Sequence, residues 1–251
     1  MPRNHIAIAS VCVFTTLILI AVPCQGDEGW IHPAGKINVE TIKQIRHKCD
    51  TLPWAKELVD SLDLGVQPWL EQSPERLEEL LPKERAGVYW LMICPQCGER
   101  LPFEPFNDQT ATCPDCDRTY DLSRQSTATE PDGAYAGVLY DGWACDYLFR
   151  LSKAARDLAL LHALGADREY AQRAAEILLI FSRHLKTLPV QQHGANVIWT
   201  YAYEGDMTTL RPLLTAYELV RGVDGLFSPQ QHQQIQQDLF KHWVDSVFRV
   251  T

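Results

Sequence analysis

Two Cys-x-x-Cys pairs, Cys94-Pro-Gln-Cys97 and Cys113-Pro-Asp-Cys116, constrain this chain more than any other feature. Fifteen residues lie between them. Thiolates two residues apart can approach one tetrahedral ion from a single tight turn, and two such turns complete a four-sulfur shell. The spacing falls inside the range that reads as a zinc site. Each pair has Pro after its first Cys, and Gly98 follows Cys97, as a sharp knuckle requires. Cys94, Cys97, Cys113 and Cys116 are therefore the expected ligands of a structural zinc. Two short-loop disulfides are the competing arrangement, and the start of the chain gives that alternative weight.

Arg3 precedes an apolar run from Ile6 to Val22, broken only by Ser10, Thr15 and Thr16. The run fits a secretory leader and is barely long enough to span a membrane. The next charges are Asp27 and Glu28, so no basic stop follows. Residues 1–26 are read as a signal peptide cleaved after Cys24 or Gly26, which makes the protein secreted or periplasmic. A lipoprotein centred on Cys24 is disfavoured by Pro23, and membrane attachment would arise only through an uncleaved leader.

Without the leader, 22 basic residues face 32 acidic ones. No basic tract is present, which argues against a nucleic-acid partner. A local cleft can still oppose the global sign, so an acidic polysaccharide remains open. Of eight cysteines, Cys12 and Cys24 leave with the leader, four form the knuckles, and Cys49 and Cys145 could pair or be buried singly.

Segment 27–87 is read as an N-terminal helical region. Asn38 to Leu70 has helical spacing (Val39, Ile42, Ile45, Cys49, then Trp54, Leu58, Leu62), with Pro53 at the start of a turn. Ser73-Pro74 opens a short helix running towards Arg85. Segment 88–122 suits small strands around a metal, as a zinc-ribbon-like insert. From Trp143 the chain is helical in pairs. Leu148, Leu151, Ala155 and Leu158 form one stripe, followed by a Gly165-Ala166-Asp167 turn with Asp167 as cap. Ala171, Ala174, Leu178, Phe181 and Leu185 form the second stripe. A third helix is expected over Leu210–Arg221, and a fourth opens at Ser228-Pro229. Ile235, Leu239, Trp243, Val247 and Val250 keep helical spacing to the end, so the chain is expected to be a piece of a longer protein.

The order of these phrases carries a resemblance. A Cys-Pro-x-Cys-Gly motif precedes Tyr140-Asp141-Gly142-Trp143; Leu160-Leu161-His162-Ala163-Leu164-Gly165-Ala166-Asp167-Arg168-Glu169-Tyr170-Ala171 sits at a helix turn; Leu213-Leu214-Thr215-Ala216-Tyr217-Glu218-Leu219-Val220 follows. This resembles the N-terminal helical toroid of the heparinase II/III-like and alginate-lyase-like polysaccharide lyases, over roughly 37–251. The fold it implies is mainly α: an incomplete (α/α) toroid of helix hairpins over 135–251, with the small inserted β subdomain.

The activity it implies is β-elimination of a uronate-containing polysaccharide. There an Asn, His or Arg neutralises the uronate carboxylate, and a Tyr or His takes the C5 proton. The family's neutralising residue lies in an Asn-rich turn beyond a helix like the last one here, so no catalytic position is assigned. Substrate-binding candidates are Tyr140 and Trp143, with His193, Asn196, Trp199, Tyr201, Tyr203 and Glu204 in a connection spanning Gln191 to Asp206. Aromatic faces there suit sugar rings, and polar groups suit hydroxyls; plain packing explains the alternating aromatics equally well. Two alternatives remain: a non-catalytic helical-repeat glycan or partner binder, and an α/α-barrel glycoside hydrolase using Asp141 and Glu204. His232 and His242 fall on opposed helix faces and form no metal pair.

Overall fold

A computed structural model describes residue 33, 35–83, 86, 92–122, 133–188, 191–193, 195–197 and 203–247. The chain divides after Trp30, and every described residue lies in the second unit, Ile31–Thr251. The expected leader lies outside the described residues. No helix among them is long and apolar enough to cross a membrane.

The architecture is mainly α-helical. The N-terminal region holds α1 (Val39–Thr51), α2 (Pro53–Glu71) and α3 (Pro74–Glu79). Local chemistry sets their starts. The Asn38 side chain accepts from the Thr41 amide, Pro53 fills the first turn of α2, and Ser73 accepts from Arg76 ahead of Pro74. The helix expected to run towards Arg85 is shorter than the spacing suggested and stops at Glu79.

Residues 92–122 form the cysteine segment. Its antiparallel strands β1 (Thr110–Thr112) and β2 (Thr119–Asp121) pair Thr110 with Asp121 and Thr112 with Thr119, and a single bridge joins Ile93 to Arg100.

The helical array follows. α4 (Gly133–Leu164) starts ten residues before the expected Trp143, so Tyr140-Asp141-Gly142-Trp143 lies inside a helix. Its 32 residues extend about 48 Å at 1.5 Å each. Ala144, Ala155 and Ala159 are fully buried, small residues that let neighbouring helices come close, and α2, α5 and α6 pack around α4. The turn into α5 (Arg168–Leu185) is a Schellman arrangement. Gly165, at φ 120°, donates to the His162 carbonyl, and the Ala166 amide reaches Leu161 at 3.0 Å. Asp167 occupies the cap position of α5, but its side chain makes no capping bond, contrary to expectation.

Strands β3 (Gln191–His193) and β4 (Ala195–Val197) form a hairpin, and α6 (Tyr203–Val220) packs on α4. α6 begins seven residues before the expected Leu210. The segment read as a connection from Gln191 to Asp206 is thus a hairpin followed, after undescribed residues, by the first turn of a helix.

The chain continues through α7 (Pro229–Gln234), a π-helical stretch Ile235–Lys241, and α8 (His242–Val247). A reciprocal capping box between Ser228 and Gln231 starts α7. The π stretch corrects the expectation of a plain α-helix, and the apolar spacing supplies a reason. Ile235, Leu239 and Trp243 recur every fourth residue, which would rotate the stripe by about 40° per step in an α-helix. The wider π turns cancel that drift, and all three side chains are buried.

The core is continuous from the N-terminal helices through the cysteine segment into the array. Tyr147 is fully buried on α4 and donates to the Leu77 carbonyl at 2.9 Å, tying α3 to α4. Cys49 and Cys145, which could have paired, form no disulfide with each other.

Candidate metal centre

Each half of the cysteine segment builds the same knuckle. In the first, the Cys94 amide donates to Glu99 at 2.7 Å and the Gly98 amide donates back to Cys94 at 2.9 Å. In the second, Cys113 donates to Arg118 at 2.8 Å and Asp117 to Cys113 at 3.1 Å. The residue after each second cysteine has left-handed backbone: Gly98 at φ 78° and Asp117 at φ 58°. Aspartate is one of the few non-glycine residues that tolerate this region. Comparison of the two motifs position by position would have singled out Asp117.

The knuckles bring all four sulfurs within 4.8 Å of one another. Cys94 and Cys116 are 3.6 Å apart, and Cys97 and Cys113 are 3.5 Å apart. A tetrahedral ion with metal–sulfur bonds of about 2.3 Å places its sulfurs about 3.8 Å apart. The donor set and its spacing therefore fit a four-thiolate metal, and all four cysteines are free thiols rather than disulfides. It is the metal-capable grouping of His, Cys and carboxylate residues among the described residues.

Thiol acidity points the same way. Burial disfavours the Cys94 thiolate, but donation from Tyr120 and the Cys97 and Gln96 amides outweighs it and holds the thiol down to about 6. Cys97 accepts from the Glu99 amide, which favours its thiolate, yet burial and its three sulfur neighbours push it up to about 12. Cys116 accepts from the Arg118 amide, which favours its thiolate, yet burial and the Cys113 and Cys94 thiols raise it. The Cys94 thiolate forms readily, whereas Cys97 and Cys116 are held as thiols. A cation at the centre is what lets all four ionise together. Tyr120 Oη lies 3.1 Å from Cys94 Sγ, and that hydrogen bond raises the phenol to about 12. No sequence signal picked out Tyr120, although its place on β2, pairing with Ala111, fixes it beside the knuckle.

The segment is seated on the helices by named contacts. Trp143 Nε1 donates to the Glu104 carbonyl at 3.0 Å, and Phe103 packs on Trp143 with centroids 6.0 Å apart. Phe106 meets Trp69 edge-on at 5.1 Å.

The saccharide-binding candidates are not brought together as one described surface. Trp143 is 1% exposed and stacks on Tyr147 at 5.3 Å, so it serves the core and offers no face to a ligand. Tyr140 is half-buried beside it. His193 and Asn196 are on the hairpin backbone, where His193 pairs with Ala195 and Asn196 with Gln192. Trp199 and Tyr201 lie outside the described residues. Tyr203 and Glu204 begin α6, and Asp206, two residues on, is buried. Asp141 is half-buried on α4. His232 Nδ1 lies 3.0 Å from Tyr217 Oη, a packing role.

No family model matches the chain, and no curated protein or solved structure matches it significantly.

Proposed function

We propose that the chain is the N-terminal, substrate-binding part of an exported polysaccharide lyase that cleaves uronate-containing polymer by β-elimination, with zinc as a structural staple in the four-cysteine centre. The observation that carries this reading is the α4–α5 hairpin. The turn phrase that resembles the lyases closes as a glycine-capped hairpin, and α6, which bears the next phrase, packs beside α4. Successive hairpins stacked in this way are what an incomplete (α/α) toroid requires. The metal role is structural because four thiolates leave no open coordination position for a substrate.

Incubating the full-length protein with uronate polymers tests the activity. Release of an unsaturated uronate with its ultraviolet absorbance supports elimination. New reducing ends without that absorbance point to a hydrolase, and binding without bond cleavage points to a non-catalytic glycan binder. Native mass spectrometry tests the metal. A mass with one zinc and four intact thiols supports the staple, whereas a metal-free mass with two disulfides rejects it.

A further inference from the structure

α4 is buried along most of its length but carries one polar stripe. Asp146, Arg150, Lys153 and Asp157 recur at steps of four, three and four residues, which places them on one helical face. That face opens into a cleft of about 520 Å³ between α4 and α6, lined by Arg150, Lys153, Arg156 and Thr208 and reached from the cysteine segment by Arg100. Arg156 also lines a second cavity of about 630 Å³, which adds Lys36 and Arg211 over a floor containing Ile37, Leu214 and Leu219. The two cavities meet at Arg156, which lines both and joins them into the candidate groove. From Asp146 to Arg156 the helix advances about 15 Å, longer than a single small anion needs.

We infer that this groove binds a carboxylate-bearing sugar polymer, with Arg150 and Lys153 as its principal contacts to the acid groups. Six cations line it in a chain whose net charge is −9. Two carboxylates, Asp146 and Glu218, line it with them, and Asp157 lies beside Arg156. Asp157 is committed to Arg156 at 2.6 Å, and Glu218 pairs with Arg221 at 3.4 Å. Asp146 lies in the floor with its side chain 7% exposed, 3.6 Å from Arg100. Arg150 and Lys153 are exposed, and neither makes an ion pair among the described residues; Arg150 rests over the Phe103 ring at 5.8 Å. Charges held this way are available to a ligand. Leu214 stays 47% exposed on the floor, an apolar surface that suits the carbon–hydrogen face of a pyranose ring lying between successive carboxylates. Nucleic acid fits less well, since its dense phosphate charge would meet the repulsion of the acidic remainder of the chain.

The ligand's identity rests on the lyase reading; the existence of an anion groove does not. Titration of the full-length protein with a size-defined oligouronate, followed by calorimetry at low and high salt, tests it. Binding is expected to weaken as salt rises, and the double variant Arg150→Gln/Lys153→Gln is expected to lose about tenfold or more in affinity, the equivalent of one charge-assisted contact. Both residues are exposed, so circular dichroism should be unchanged, and Lys56→Gln on α2 should bind as the parent does. Undiminished affinity in the double variant, or no oligouronate binding by the parent, overturns the proposal. Equal or tighter binding of a single-stranded oligonucleotide overturns the assignment to sugar. Groove-dependent binding with no elimination product leaves the groove standing and removes the lyase.

Discussion

The cysteine segment and the helical array are held together by different physics within one continuous core. Residues 92–122 contribute only short strands, single bridges and a handful of buried side chains such as Met92, Leu101 and Leu122. Their geometry converges on four sulfurs. The array from Gly133 to Val247 has no such focus; its order comes from apolar faces shared among α4, α5, α6 and the π-helical stretch. A point-centred module should fail all at once when its centre is lost, whereas a surface-centred one should lose stability in proportion to the area or volume removed.

The sharpest way to break this comparison is to remove the proposed zinc. Structural zinc contributes about 10 kcal/mol or more to such modules. Chelation, or Cys113→Ser, is therefore expected to abolish hydrogen-exchange protection over 92–122 while far-ultraviolet circular dichroism of the helices persists. Collapse of both regions together would show that the array leans on the cysteine segment through Trp143 and Phe103.

Next in size is a cavity in the array. Phe181 is fully buried in α5, and Phe181→Ala should cost about 3–5 kcal/mol in denaturant unfolding. The folded variant should keep its zinc content. Loss of metal at unchanged helicity would contradict the division.

A pH effect of about 3 kcal/mol is expected from His184 in the array. Burial pushes the His184 imidazole down to about 4, against the opposing pull of the Glu78 carboxylate, and its Nε2 is buried without a hydrogen-bond partner. The unfolded chain binds this proton first, near pH 6.5, so stability is complete above that pH. It falls as the pH drops towards about 4. His184→Leu should flatten the denaturation midpoint over that window, and an unchanged slope would reject the assignment.

The smallest test compares the two knuckles. A Cβ at Gly98 would meet no atom within 4 Å, so Gly98→Ala carries backbone strain alone, about 1 kcal/mol. Asp117→Gly relieves the matching strain in the second knuckle. Zinc competition should read weaker affinity for the first variant and equal or stronger affinity for the second.

The legible parts of the chain were those where neighbours in sequence supply the whole cause. The knuckles could be read because each is built within six residues, and the α4–α5 turn because Gly165 and its flanking stripes lie together. The starts of α1, α3 and α7 followed from Asn38, Ser73 and Ser228 for the same reason. The ends of long helices were harder. α4 runs through Gly137 and Gly142, residues of low helix propensity. α6 likewise runs through Gly205 and Pro212.

Site residues divided along the same line. Cys94, Cys97, Cys113 and Cys116 were identified by spacing, whereas Tyr120 reaches Cys94 only because β2 pairs with β1. Trp143 was a candidate for a sugar ring although its place near a helix start favoured the core, and its stacking on Tyr147 and its bond to Glu104 put it inside. The cations of the groove come from positions 36, 100, 150, 153, 156 and 211. Helical period alone could have linked Arg150 to Lys153. Bringing in Arg100 took the seating of the cysteine segment, and bringing in Arg211 took the packing of α6 on α4. Sequence by itself determined the knuckle turns, the Asn38, Ser73 and Ser228 caps and the four clustered cysteines, because their energies arise within a few residues. Tertiary structure decided helix extent, which aromatic side chains are buried and where charges converge, because those depend on surfaces contributed by residues far apart in the chain.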